Sequence, residues 1–168
     1  MAKRLDMAKR LDPAKRLDMA DRVDFYVLDS AAPKQRWTVA CRLTEKAYLR
    51  DLRVLILSGS MEEAKAIDEL LWTFNDRSFV PHQMSEAEHS MDPETAVHLS
   101  HAQSPTGGAD LLVNLSERLP PGLDRFTRIA EIIDADPQRR RLGRERFKSY
   151  RDQKLTIETH QLSDTQDI

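Results

Sequence analysis

Two short apolar segments, each followed by a segment with helical periodicity, constrain the fold of this chain more than any other feature. Val23–Leu28 reads VDFYVL and Leu52–Leu57 reads LRVLIL, and both have the composition and length of buried strands. Ala32–Leu49 and Met61–Phe74 repeat their apolar residues at helical spacing. Because a strand–helix–strand order requires crossover connections, it pairs the strands in parallel. The sequence therefore predicts an α/β fold.

The later part of the chain supplies further elements of the same domain. At 168 residues and 40 % hydrophobic content, the chain can form one domain with a core. We predict a single-domain, Rossmann-like fold with a mixed, largely parallel sheet flanked by helices. Its further elements are a polar surface loop at Gln83–Thr95, strands at Ala96–Ser100 and Leu111–Leu115 around a Pro105–Gly108 turn, a helix at Phe126–Asp134, a basic helix within 138–154, and a last strand at Leu155–Leu162.

The first 18 residues repeat a hexamer almost unchanged, as MAKRLD, MAKRLD and PAKRLD. A period of six matches neither a strand nor a helix, and three copies are too short for a solenoid. We interpret residues 1–18 as a disordered extension, either a natural duplication or an artificial addition, before a domain at 19–162. A basic arm that binds nucleic acid is the alternative, which the Asp in every copy weakens. Residues 163–168 are expected to be a frayed tail.

Positive charge is concentrated in Arg139–Arg151, which reads RRRLGRERFKSYR and follows a helix-entry signal at Asp136-Pro137. The region 138–154 has eight basic and two acidic residues, so it carries +6 in a chain of net charge −2. An anionic partner would explain this face, and an ordinary solvated helix face is the alternative. The helical periodicity places one aromatic ring within the cationic stripe, which consists of Arg140, Arg144, Phe147, Lys148 and Arg151.

The opposite side of this helix should face the protein. It carries Leu142, Gly143, Ser149 and Tyr150. Arg146 points toward the same side, so we expect it to be a structural residue that pairs with a buried or half-buried acid.

Trp72 in the second predicted helix is a candidate interface residue. The apolar face of that helix consists of Ala64, Ile67, Leu70, Leu71 and Phe74, and Trp72 lies far from it among charged residues. A tryptophan that points outward can anchor a protein interface. Alternatively, the neighbouring Ser78–His82 segment folds over its ring. Phe79 could extend the same exposed patch.

The sequence carries no recognisable catalytic, metal or nucleotide site. Neither GxGxxG nor GxxxxGK[ST] occurs, and no Ser or Cys stands in a nucleophile-elbow sequence. The histidines at 82, 89, 98, 101 and 160 lack a ligand pattern, and the one cysteine, Cys41, is predicted to be a buried thiol. We expect no enzymatic activity, no cofactor and no metal. No signal peptide or membrane-length apolar run is visible, so we expect a cytoplasmic protein.

Several segments resemble the chi subunit of the bacterial DNA polymerase III clamp-loader complex. The resemblance extends over nearly the whole of residues 19–162. Its most distinctive feature is that Leu70–Phe74 and Ser78–His82 occur together with Gly143–Arg151. The segments are Val23–Leu28 (VDFYVL), Cys41–Tyr48 (CRLTEKAY), Leu70–Phe74 (LLWTF), Ser78–His82 (SFVPH), Leu111–Ser116 (LLVNLS) and Gly143–Arg151 (GRERFKSYR).

The resemblance implies a DNA-replication adaptor with two protein-binding faces and a nucleotide-binding type of fold that binds no nucleotide. One face would bind the psi subunit through Trp72 and Phe79, which tethers chi to the clamp loader. The other would bind the acidic C-terminal tail of single-stranded DNA-binding protein (SSB), which ends in an apolar residue and a free carboxylate. The residues implied for this pocket are Ile133, Arg140, Arg144, Phe147, Lys148 and Thr159.

Within that pocket, Arg144 is the best-centred residue for the terminal carboxylate, and Phe147 with Ile133 would contact the apolar residue. Position 147 is Tyr in some relatives and position 140 is often Lys, so Phe147 removes a hydroxyl and Arg140 changes the geometry. Two hypotheses remain beside the adaptor. One is direct binding of nucleic acid by the basic helix 138–154, and the other is a nucleotide-using enzyme, for which the fold alone argues.

Overall fold

The computed structural model describes residues 22–77, 79–85, 92–101 and 107–163. In that part of the chain there are seven strands, three α-helices and one 3-10 helix. In chain order they are β1 (Arg22–Leu28), α1 (Pro33–Leu49), β2 (Val54–Ser58), α2 (Met61–Thr73), β3 (His82–Met84), β4 (Val97–His101), β5 (Ala109–Asn114), the 3-10 helix (Leu123–Arg125), β6 (Phe126–Ile133), α3 (Pro137–Asp152) and β7 (Thr156–Leu162). The hexamer region, Pro105 in the predicted turn and residues 164–168 of the predicted tail lie outside the described residues.

The seven strands form one sheet in the order β3-β4-β2-β5-β6-β1-β7. Every pairing between these strands is parallel. The predicted α/β class is therefore confirmed, and the sheet is more uniform than the largely parallel one expected. The first strand lies between the last two, since Tyr26 is paired with Ile132 on one side and His160 on the other.

The prediction of a helix at Phe126–Asp134 was wrong, because this segment forms strand β6. It lies between β1 and β5 and pairs with both. Residues Ile129–Ile133 are all buried. Apolar residues therefore occur on both faces of the strand, and some of them stand at the spacing of one helix face. In a strand buried on both faces, period-2 alternation is lost. The β-branched Ile129, Ile132 and Ile133 were the local signal that favoured a strand.

The predicted surface loop at Gln83–Thr95 was also partly wrong, since Gln83 and Met84 belong to the three-residue edge strand β3. Among the described strands, β3 pairs only with β4, with His82 opposite Val97. A polar HQM segment has no local strand signal. It becomes a strand because β4 presents an open edge beside it.

Helices cover both faces of the sheet and bury two apolar cores. The first core joins α1 and α2 to one face through residues such as Val39, Ile67 and Ile56. The second core lies on the other face, where Tyr150 of α3 packs against Phe25. Cys41 is buried in the first core, which confirms the predicted buried thiol, and burial raises the pKa of this thiol to about 12. No helix in the described part of the chain has the length and apolarity needed to span a membrane.

Candidate protein-binding surfaces

Helix α3 begins where its sequence signals indicate. The Asp136 side chain accepts a hydrogen bond of 2.9 Å from the backbone N–H of Arg139, and Pro137 occupies the first turn. This backbone hydrogen bond lowers the pKa of the Asp136 carboxyl. The Arg139 guanidinium then donates to the buried Asp134 at 2.8 and 2.7 Å. Together these contacts fix the start of the helix against the end of β6.

A buried polar network holds the middle of α3 against the sheet. Its centre is Glu131 of β6, which is completely buried. The Glu131 carboxylate accepts hydrogen bonds from Arg146 Nε at 3.0 Å and from the Tyr150 hydroxyl at 2.7 Å. Asn114 Nδ2 donates to both carboxylate oxygens, at 3.1 and 3.0 Å. The predictions that Arg146 pairs with a buried acid and that Tyr150 faces the protein are confirmed.

A pocket of about 240 Å³ lies between α3 and the sheet. Its wall is mostly apolar and its rim carries two guanidinium groups and one hydroxyl. The lining residues are Phe25, Val27, Ile133, Arg140, Gly143, Arg144, Phe147 and Thr159. The Phe147 ring packs against the Phe25 ring with centroids 5.3 Å apart. Gly143 allows the helix to approach β6, because a Cβ there would lie 2.9 Å from Ile133 Cδ1.

The structure thus brings together five of the six residues that the family resemblance implied for one pocket. The sixth residue, Lys148, is exposed on α3 and does not line the pocket. Arg140 is half-buried, and its guanidinium donates to the carbonyl oxygens of Leu28 and Asp134, each at 3.1 Å. Arg144 is exposed and has no hydrogen-bond or ion-pair partner among the described residues. Arg144 is therefore the pocket cation whose hydrogen-bonding capacity is available to a ligand.

Sequence reasoning did not assign Phe25 and Val27 to this pocket. The two side chains alternate along β1 with Asp24 and Tyr26, so they point to the face that α3 covers. The alternation was visible in VDFYVL. The missing information was which face of β1 would meet the basic helix, and that depends on β1 being paired with both β6 and β7.

Two exposed aromatic side chains form a second surface on α2 and the segment after it. Trp72 is 50 % exposed and Phe79 is 64 % exposed, and their ring centroids are 5.2 Å apart. The His82 ring lies 4.7 Å from the Trp72 ring and hydrogen-bonds Asp68 at 2.8 Å. Residues of the 79–82 segment therefore contact the tryptophan without covering it. The prediction that Trp72 lies outside the core is confirmed.

One cluster of described residues could in principle share a metal ion, namely Asp24, Glu158 and His160 on β1 and β7. Asp24 is buried, which alone would raise its pKa, but hydrogen bonds from Arg22, Arg128 and His160 outweigh burial and lower it. The nearest contacts of its carboxylate are 2.8 Å to Arg22 and 2.7 Å to Arg128. Because two guanidinium groups already neutralise this carboxylate, the cluster fits an ion-pair network better than a metal site.

Comparisons with known proteins agree on one family. The family model described as DNA polymerase III chi subunit, HolC, matches residues 20–158. The DNA polymerase III subunit chi of Pseudomonas aeruginosa is 36 % identical over 139 residues, which is 83 % of this chain and 95 % of the relative. The subunit of the same name from Haemophilus influenzae is 31 % identical over 136 residues, which is 80 % of this chain and 93 % of the relative.

Solved structures are similar in fold at low sequence identity. UvsW of T4 superposes with a TM-score of 0.56 at 10 % identity, over 88 % of this chain and 42 % of UvsW. A chain from the structure of S. cerevisiae Dbp5 bound to Nup159 and Gle1 superposes with a TM-score of 0.59 at 10 % identity, over 90 % of this chain and 45 % of that chain. The chain thus spans less than half the length of these structures. At this identity the likeness concerns the arrangement of strands and helices alone.

Proposed function

Since this chain belongs to the family of DNA polymerase III chi subunits, we propose that it is a non-catalytic adaptor that links the clamp loader to SSB during DNA replication. The psi subunit would bind the surface of Trp72 and Phe79. The acidic C-terminal tail of SSB would bind the pocket between α3 and the sheet. The observation that carries the proposal is the exposed guanidinium of Arg144 at the rim of an apolar pocket.

The pocket has the chemistry that an apolar residue with a free carboxylate requires. Its walls of Phe25, Val27, Ile133 and Phe147 offer apolar contact, while the rim offers Arg144 and the Thr159 hydroxyl. A guanidinium can bind a carboxylate through two parallel hydrogen bonds. At about 240 Å³, the pocket is smaller than the roughly 300–1,000 Å³ of most small-molecule sites. Such a volume suits one apolar side chain better than a nucleotide.

Further positive charge on α3 would assist the approach of an acidic tail. Arg144, Lys148 and Arg151 are all exposed along the same helix. Such charges attract an acidic segment at long range and mainly raise the association rate. Lys148 therefore keeps a proposed role near the pocket, as a residue that meets the acidic part of the tail rather than its end.

The two proposed binding surfaces lie on opposite faces of the sheet. Helix α2, which carries Trp72, packs with α1 on one face, and α3 packs on the other. Two partners could therefore bind together without steric conflict. This arrangement is what a tether between two assemblies requires.

A direct test compares three ligands in titrations against the same protein. The first ligand is an acidic peptide that ends in an apolar residue with a free carboxylate, and the second is the same peptide with an amidated terminus. We expect the first peptide to bind, and the second to bind at least about tenfold more weakly. Single-stranded DNA is the third ligand. If DNA binds tightly and the peptide does not, the basic helix is a nucleic-acid site instead, and the SSB assignment fails.

Trp72→Ala is expected to weaken binding to psi by about 2 kcal/mol or more, which is roughly 30-fold in Kd. Truncation removes the larger ring of the exposed aromatic pair while the α2 core residues remain. Calorimetric titration with psi measures the affinity, and thermal unfolding should show little change. Leu49→Ala is a matched control, since Leu49 is 72 % exposed at the end of α1. A protein that unfolds at clearly lower temperature yet keeps its psi affinity would show that Trp72 is structural.

A further inference from the structure

A carboxylate of the chain itself occupies the N-terminal end of helix α2. Ser60 caps this helix by accepting a hydrogen bond of 3.1 Å from the backbone N–H of Glu63. The Glu63 side chain turns back, and its Oε1 accepts the backbone N–H of Gly59 at 2.8 Å. Its Oε2 accepts Trp37 Nε1 at 3.0 Å and Arg36 Nη2 at 3.1 Å. A backbone N–H, an indole N–H and a guanidinium thus converge on one anionic group.

Gly59 and Arg36, which supply two of these donors, line a large crevice at the carboxyl ends of β2 and β5. It has a volume of about 800 Å³, and its lining includes Ser58, Gly59, Ser60, Glu63, Ser116 and Arg139. After β2 the chain enters α2 on one face of the sheet, while after β5 it passes through Leu123 on the other face. A crevice where successive connections diverge is the usual ligand position of a parallel sheet.

Arg36 is the second observation that indicates an anion in this crevice. Its side chain is 3 % exposed and lines the cavity. Nη2 donates to Glu63 and, at 2.8 Å, to the Leu115 carbonyl, whereas the buried Nε has no hydrogen-bond partner among the described residues. Burial lowers the pKa of this guanidinium, and the Glu63 charge partly opposes that effect. A buried guanidinium requires negative charge beside it, and its unused Nε–H group requires a further acceptor.

We propose that the N-terminal end of α2, in the wall of this crevice, is a site for a small oxyanion, and that the carboxylate of Glu63 occupies this site in place of a bound phosphate or carboxylate. Helix N-termini bind phosphate through the same combination of backbone N–H groups and helix dipole. Because Glu63 supplies the anion, this site does not take phosphate in the intact protein. The fold therefore keeps the ligand position of a nucleotide-binding sheet while its own side chain blocks that position.

The test removes the internal anion and offers an external one. Glu63→Ala should unfold about 5 °C or more below the unaltered protein, because Gly59, Trp37 and Arg36 lose their acceptor. Inorganic phosphate or acetate should then raise its melting temperature by several degrees more than chloride at equal ionic strength. The NMR signal of the Trp37 indole N–H can be assigned in a protein that carries Trp72→Phe. This signal should shift in Glu63→Ala and return toward its original position when phosphate binds.

Controls separate a filled anion site from an ordinary helix cap. Glu62→Ala removes a neighbouring acid from the same first turn, and neither this variant nor the unaltered protein should respond to phosphate beyond the effect of chloride. Glu63→Ser, which also leaves the volume open, replaces Glu63→Ala if that variant does not fold. Equal effects of phosphate, acetate and chloride on the Glu63 variants, with an unmoved Trp37 signal, would overturn the proposal.

Discussion

Arg144→Ala is expected to abolish most binding of the SSB tail while binding of psi is unchanged. Truncation of a charge that pairs with a partly desolvated carboxylate costs about 2–5 kcal/mol, or roughly 30-fold to several thousand-fold in Kd. Arg144 is the residue to change because the Arg140 guanidinium is already bound to two backbone carbonyls. Psi should bind normally, since its proposed surface is on α2. Calorimetric titration of each partner measures both effects.

A double-perturbation cycle tests whether Arg144 and the terminal carboxylate of the tail are partners. Amidation of the tail should weaken binding to the unaltered protein but should cost little more in Arg144→Ala, because both changes remove the same interaction. Arg151→Ala is the matched control, since Arg151 is exposed on the same helix and does not line the pocket. Its effect should be small and should disappear at high salt. Fully additive losses in the Arg144 cycle would indicate that Lys148 or Arg140, and not Arg144, binds the carboxylate.

Arg146→Ala is expected to lower the free energy of unfolding by about 3–5 kcal/mol. The substitution leaves the Glu131 charge buried, with Tyr150 and Asn114 as its remaining hydrogen-bond donors. It also removes the 2.9 Å hydrogen bond from Arg146 Nη1 to the Glu117 carbonyl. Urea denaturation, followed by far-ultraviolet circular dichroism, measures the change.

Two further variants test whether the unpaired charge is the cause. Arg141→Ala breaks an exposed pair with Glu145, whose side chains are 60 % and 64 % exposed, and should cost less than about 0.5 kcal/mol. Glu131→Gln combined with Arg146→Met removes both charges and should recover a large part of the lost stability. If Arg146→Ala is no more destabilising than Arg141→Ala, the network does not hold α3 as described.

Local sequence signals predicted the elements that are short apolar segments delimited by turn residues or that begin with a helix-entry signal. The strands β1 and β2 are short apolar segments between turn residues, and α3 has an Asp-Pro entry with a charged outer face. They were predicted to within two residues of their observed ends. Trp72 could be placed outside the core for the same reason, since a helix with one clear apolar face determines where its other residues point.

The remaining features depend on contacts between distant parts of the chain. Strand β6 was mistaken for a helix because its central position buries both faces, which removes the alternation that marks a strand. Strand β3 forms only because β4 lies beside it. The pocket could be predicted in part, since Arg144 and Phe147 lie on one helix, whereas Phe25 and Val27 join them through the pairing of β1 with β6 and β7. No local pattern encodes that pairing.

The position of β1 between β6 and β7 also determines when the proposed SSB site can form during synthesis. Residues 22–28 leave the ribosome early, yet their partners at 126–133 and 156–162 are made last. Pairings over such sequence distances carry a large loop-closure cost and slow folding. The pocket between α3 and the sheet is lined by residues of β1, β6, α3 and β7. It is therefore assembled only when almost the entire domain has been translated. An incomplete chain can begin to pack α1 and α2 beforehand, but it cannot yet present the pocket.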